Sequence, residues 1–136
     1  MAIVYSIDSR KWSIEQWASL TITTNQLRLY SNDVTPTEST TAASLTEITD
    51  FWAYSSPISI ATSGLDGSNR GYVTTSTITF THDGMSSAVT VYGWFILNTY
   101  DYKLMFAERL STPKYMATTD DGLSIALTFR MTQGTF

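Results

Sequence analysis

Residues 89–109 read VTVYGWFILNTYDYKLMFAER, the most apolar run in the chain. Gly93, Asn98, Asp101 and Lys103 interrupt it before it reaches the roughly 18 uninterrupted apolar residues of a membrane helix. A period of two fits it better. Val89, Val91, Phe95 and Leu97 fall in one register, and Tyr92, Trp94 and Ile96 in the other. NTYD supplies a turn, and 102–109 return as a second strand in which Tyr102, Leu104 and Phe106 oppose Lys103, Met105 and Ala107. Apolar residues in both registers belong to a strand covered on both faces, which predicts a hairpin at the centre of a sheet. In a small sandwich one face meets the opposing sheet. The face carrying Tyr92 and Trp94 then requires a helix, the 32–50 loop or another subunit above it.

The flanking segments supply the rest of that sheet structure. NQLRLYS alternates Leu27 and Leu29 against Arg28 and Tyr30, the pattern of a half-buried strand. NDVTPTESTTAASLTEITD is a long Thr- and Ser-rich connection, expected to hold a short turn capped by Thr46 or Thr49. In FWAYSSPISIAT, Pro57 cannot donate a ladder hydrogen bond, so the strand starts after it or lies on an edge. GLDGSNRG is a turn leading into YVTTSTITFT, a strand in which Ile78 and Phe80 alternate with threonines. LSIALTFRM is the last strand, with Leu123, Ile125, Leu127 and Phe129 inward. At the N-terminus, residues 1–7 suit a strand or an arm, and Ser13 and Gln16 stand at capping-box spacing before a short helix. About seven or eight strands separated by turns predict an all-β, single-domain β-sandwich or jelly roll over 1–136. Residues 1–20 are expected to serve as its arm or interface element.

Composition narrows the partners. The 136 residues carry a net charge of -4 with 15% charged side chains, and Ser and Thr supply much of the polar surface. No basic stripe is available for counterion release, so no direct nucleic-acid partner is expected. The absence of cysteine excludes disulfides and thiolate metal sites, leaving packing or assembly to hold the domain. MAIVYSIDSRKW lacks a long apolar signal core, which predicts synthesis and folding in the cytoplasm, with no membrane partner.

The reactive residues form no recognisable constellation. His82 lies in THDG, where a turn explains both the histidine and the aspartate. G-x-S-x-G is absent. TTDDG and GLDGSN could gather oxygen ligands, but neither has EF-hand spacing, and both fit Asx turns. Glu108 and Asp50 could be posed as a glycosidase pair, though nothing favours them over other carboxylates; Glu108 and Arg109 fit the solvated end of the hairpin strand. The expectation is no enzyme, no catalytic residue, no cofactor and no metal. Aromatics remain: Trp12, Trp17, Tyr92 and Trp94 are the candidate assembly contacts, since Trp and Tyr anchor interfaces or stack on sugars.

The order LRLYSNDVTPTESTTAASLTEITDFWAY, TITFTHDG, VTVYGWFIL, LMFAERLSTP, covering roughly residues 26–131, resembles small structural proteins of tailed bacteriophages, among them capsid decoration or cement proteins. The resemblance implies a β-rich virion subunit on the outer capsid surface that trimerises or binds the major capsid protein lattice. Its contacts would be the N-terminal arm and residues 32–50. A tail or connector subunit, or a carbohydrate-binding β-sandwich module, are the alternatives.

Overall fold

The computed structural model describes residues 25–50 and 56–131. They form an all-β domain of antiparallel strands in three sheets. The strands are β1 (Asn25–Tyr30), β2 (Ser56–Pro57), β3 (Ile60–Leu65), β4 (Gly71–Thr75) and β5 (Ile78–Thr81), then β6 (Val89–Asn98), β7 (Lys103–Met116), β8 (Gly122–Ile125) and β9 (Thr128–Met131). The sheet orders are β2-β1-β6-β7, β3-β4-β9 and β5-β8. No helix among the described residues is long and apolar enough to cross a membrane. The arm at 1–7, the helix expected after Ser13, and Trp12 and Trp17 lie outside the described residues.

The 89–109 hairpin is present and β6 is a central strand, paired with β1 on one side and β7 on the other. Both faces of β6 are buried. One face contributes Trp94 and Ile96 to a core with Leu27, Leu29, Phe80 and Ile125; the other contributes Phe95 and Leu97 to a second cluster with Tyr30 and Leu45. The expected registers break at one point. Val91 joins the first core while Tyr92 packs on the second, because the β6–β7 ladder is irregular between Val91 and Gly93. There Gly93 pairs with Arg109 and Val91 with Lys114, so residues 110–113 bulge from β7 and β6 changes face. Gly93 suits this point, since a Cβ would overlap the Tyr30 ring and the Glu108 carbonyl oxygen.

A second irregularity lies nearer the turn. Ile96 pairs with Phe106 and Leu97 with Leu104, leaving Met105 as an extra residue. Leu104 and Ala107 therefore pack on the same cluster, against the alternation expected for 102–109. β7 also runs on to Met116, which places Glu108 and Arg109 in mid-strand and not at its end.

The long excursion after β1 provides the cover that β6 requires. Ser31 N–H donates to Thr46 O and Ile48 N–H to Leu29 O, both at 2.9 Å, so the returning chain lies beside β1. Asn32 fastens it from both groups of its amide, accepting from Thr46 N–H at 2.7 Å and donating to Ser44 O at 2.9 Å. Leu45 and Val34 then cap the Phe95 face. In consequence β1 is buried on both faces, where alternation alone suggested a half-buried strand: Arg28 and Tyr30 are as enclosed as Leu27 and Leu29. The short turn is a single 3-10 turn at Ala42–Ser44, preceded by Thr41 instead of Thr46 or Thr49.

Two expected strands are each divided in the fold. YVTTSTITFT becomes β4 and β5, and LSIALTFRM becomes β8 and β9, each pair split between two sheets. The two breaks face each other. Thr75 N–H donates to Leu127 O at 2.9 Å, and Leu127 N–H donates to Thr75 Oγ1 at 3.0 Å, so a side-chain hydroxyl replaces a ladder carbonyl at the bend. Ile125 and Leu127 are buried, with Leu123 and Phe129 packed against them, as the alternation predicted. Pro57 sits on an edge strand, paired only with β1 among the described residues.

Candidate interaction surface

The far end of the β6–β7 hairpin concentrates exposed aromatic surface. Its turn is built by short polar side chains: Asn98 Oδ1 accepts Tyr100 N–H at 2.9 Å, and Asp101 Oδ1 accepts Lys103 N–H at 3.3 Å. Tyr102 completes the turn with φ 57°, a left-handed conformation uncommon for a non-glycine residue. Backbone strain of this kind persists where surrounding bonds enforce it. Here it presents Tyr100, 90% exposed, and Tyr102, 68% exposed, at the tip. Met105 and Phe106 continue the partly exposed apolar surface along β7.

Two grooves adjoin this ribbon. In one, Tyr102 stands over Phe95 and Leu97 with Ala42, Ala43 and Leu45 of the excursion. The other is lined by Leu104, Met105, Phe106 and Ala107 on one side and by Pro36, Thr37, Glu38 and Thr40 on the other. Successive residues of a strand point to opposite faces, so four in a row line one groove only where it follows the strand's edge. β7 is that edge, with β6 as its paired neighbour among the described residues.

Charge pairs tie the excursion beneath this surface. Arg28 is buried in β1, and its Nη1 donates to both Glu47 oxygens, at 2.7 and 2.9 Å, while Nη2 donates to Gln26 Oε1 at 3.1 Å. Its Nε has no hydrogen-bond partner. Arg109 on β7 reaches Asp33 at 2.5 Å and places its guanidinium carbon 5.3 Å from the Tyr92 ring centroid, a cation–π geometry. Tyr30 donates from its hydroxyl to Val34 O at 3.1 Å. Burial raises its pKa above 10.0; the nearby Arg109 charge opposes that shift and Asp33 adds to it.

The sequence-nominated contacts are not gathered in one place. Trp94 is 7% exposed in the main core, and Tyr92 is half-buried on the opposite face beside Arg109, so the common outer face expected for them is replaced by two separate settings. Sequence reasoning passed over Tyr100, Tyr102 and Glu38. The available signal was a turn holding two tyrosines in a row of polar residues, NTYDYK.

Of the groups weighed for chemistry, Glu108 lies in mid-strand in β7, and His82, Asp66, Asp83 and Asp121 are engaged in turns. His82 is 1% exposed; Nδ1 accepts Gly84 N–H at 2.9 Å, and Nε2 faces Ser87 O at 3.4 Å, which assigns the proton to Nε2. Gly84, with φ 76°, makes that turn possible. Asp66 closes the β3–β4 hairpin by accepting from Arg70 and Ser68 N–H, and its pKa is lowered, first by the Arg70 backbone bond. Asp121 accepts Ala117 and Thr118 N–H at 2.7 and 2.8 Å, which lower its pKa in that order. At Asp83 burial acts upward, but bonds from Ser86 and Met85 N–H outweigh it and the net shift is down. Among the described residues no three His, Cys, Asp or Glu side chains gather where they could hold a metal ion.

Fold and surface together define an all-β, multi-sheet domain of antiparallel strands with an aromatic hairpin tip. Comparison with protein-family models, with curated proteins and with solved structures returns no match to this chain.

Proposed function

We propose that this chain is a structural assembly subunit of a tailed-bacteriophage virion, a decoration or cement protein on the outer capsid surface. It acts through protein contacts with the major capsid protein lattice and with copies of itself, as a trimer. In this reading the three sheets close as one sandwich-type domain, made in the host cytoplasm and working without enzymatic chemistry or cofactor. One observation carries it: Tyr100, Tyr102, Met105 and Phe106 are exposed in near succession at one end of the β6–β7 ribbon, beside a Thr-rich loop. Exposed apolar surface of this kind marks interaction sites, and neutral hydroxyls are cheaper to desolvate at an interface than ions. The net charge of -4 suits an outer surface better than contact with packaged DNA. Trp12, Trp17 and Tyr92 belong to the same proposal as further contacts, while Trp94, expected beside them, is buried in the main core.

The test is the solution mass across a dilution series, measured by light scattering behind size exclusion, for the parent and for Tyr100→Ala with Tyr102→Ala. A persistent trimer that the double variant weakens supports the assembly reading. A monomer at all concentrations that binds immobilised oligosaccharides through the same tyrosines favours a carbohydrate-binding module, the second reading that exposed tyrosines allow.

A further inference from the structure

Beyond the aromatic tip, the groove along the β7 edge has the form of a strand-addition site. Four consecutive residues, Leu104–Ala107, line it, and the opposing wall is Pro36–Glu38 with Thr40. Pro36 donates no backbone hydrogen bond, so its position on that wall presents no competing N–H. Glu38 is exposed and makes no ion pair among the described residues, whereas Asp33 and Asp101 are paired with Arg109 and Lys103. Among the described residues the groove therefore offers a strand edge, the apolar residues Leu104 and Met105, and one carboxylate without an ion pair.

We propose that this groove receives an extended, positively charged segment of a partner protein, which pairs antiparallel with Leu104–Ala107 and sets a lysine or arginine against Glu38. Main-chain bonds to the edge supply affinity, and the alternating side chains supply selectivity. The inference rests on the assembly reading and names the chemistry of its partner. A second copy of this chain is the poorer occupant, because the chain is acidic overall and would bring like charge to Glu38.

The probe is a six-residue peptide, acetyl-TVKVTV-amide, titrated into the full-length, isotopically labelled protein and followed by amide chemical shifts. Shifts confined to residues 104–107 and 36–40 are expected. Exchanging the peptide's lysine for glutamate is expected to weaken binding about two- to fivefold, and Glu38→Gln is expected to remove most of that preference. Met105→Pro, which introduces a ring and removes an N–H within the groove-lining segment, should weaken binding of the lysine peptide; its amide spectrum away from β7 reports whether it still folds. Equal binding of the two peptides, or shifts elsewhere, overturns the proposal. So does dimerisation at the same edge without peptide, or capture of the edge by residues 1–24 of the chain itself, seen as peptide binding only after their deletion. Trimerisation with no peptide binding overturns strand addition and leaves the assembly reading standing.

Discussion

Replacing Glu47 by Ala strands a buried cation. Arg28 keeps its place in β1 with its side chain 8% exposed, loses two short charge-assisted bonds, and retains one bond to Gln26, while its Nε is already unpartnered. Breaking a fully buried pair this way costs about 3–5 kcal/mol. Glu47 is 23% exposed, so water reaches part of the vacated site and about 2–4 kcal/mol is the better expectation. For a domain of this size that corresponds to a fall of very roughly 8–15 °C in melting temperature. Urea unfolding followed by tryptophan fluorescence gives the free energy directly, and an unchanged slope would show that the compactness of both states is retained. The double variant Arg28→Met with Glu47→Leu should recover most of the loss, because an apolar pair avoids the desolvation both ions incur. A Glu47→Ala cost below about 0.5 kcal/mol, the range of ordinary surface changes, would refute the view that this pair anchors the excursion over β6.

Other outcomes follow from the same packing. Trp94→Ala should cost about 3–5 kcal/mol in urea unfolding, as for a large core aromatic; a mild effect with loss of self-association would move Trp94 to an interface. Gly93→Ala should destabilise by about 1–3 kcal/mol, and adding Tyr30→Ala should not restore stability, since the Glu108 carbonyl also occupies the position a Cβ needs. The folded-state pKa values of Asp66, Asp83 and Asp121 lie below the ordinary 3.8, so their contribution is present above that pH and is lost as pH falls through the depressed values. Asp66→Asn with Asp121→Asn should flatten the acid limb of a stability–pH curve measured below about pH 4. Tyr100→Ala with Tyr102→Ala should leave urea stability within about 0.5 kcal/mol while weakening assembly.

Alternation and turn chemistry carried the reading of the strands. The apolar run at 89–109 announced a central hairpin because side chains in both registers must be covered, and Ile125, Leu127 and Phe129 were legible as inward residues for the same periodic reason. Asp66 and Asp121 read as turn residues, and the structure shows their carboxylates spent on backbone N–H groups. Tertiary packing decided the rest. Whether β1 was half-buried or enclosed depended on where residues 31–50 returned, a long-range pairing of Thr46 and Ile48 with β1 that no local pattern encodes. The divisions at Thr75 and Leu127 were hidden because each segment keeps its period of two while a shared bend moves it between sheets. The irregularities at Met105 on β7 and at Tyr92 on β6, opposite residues 110–113, reversed the faces of their neighbours, since one unpaired residue shifts every later side chain of its strand to the other side. The candidate surface was hardest to see in the chain, because the exposure of Tyr100 and Tyr102 depends on what the folded excursion covers and what it leaves open.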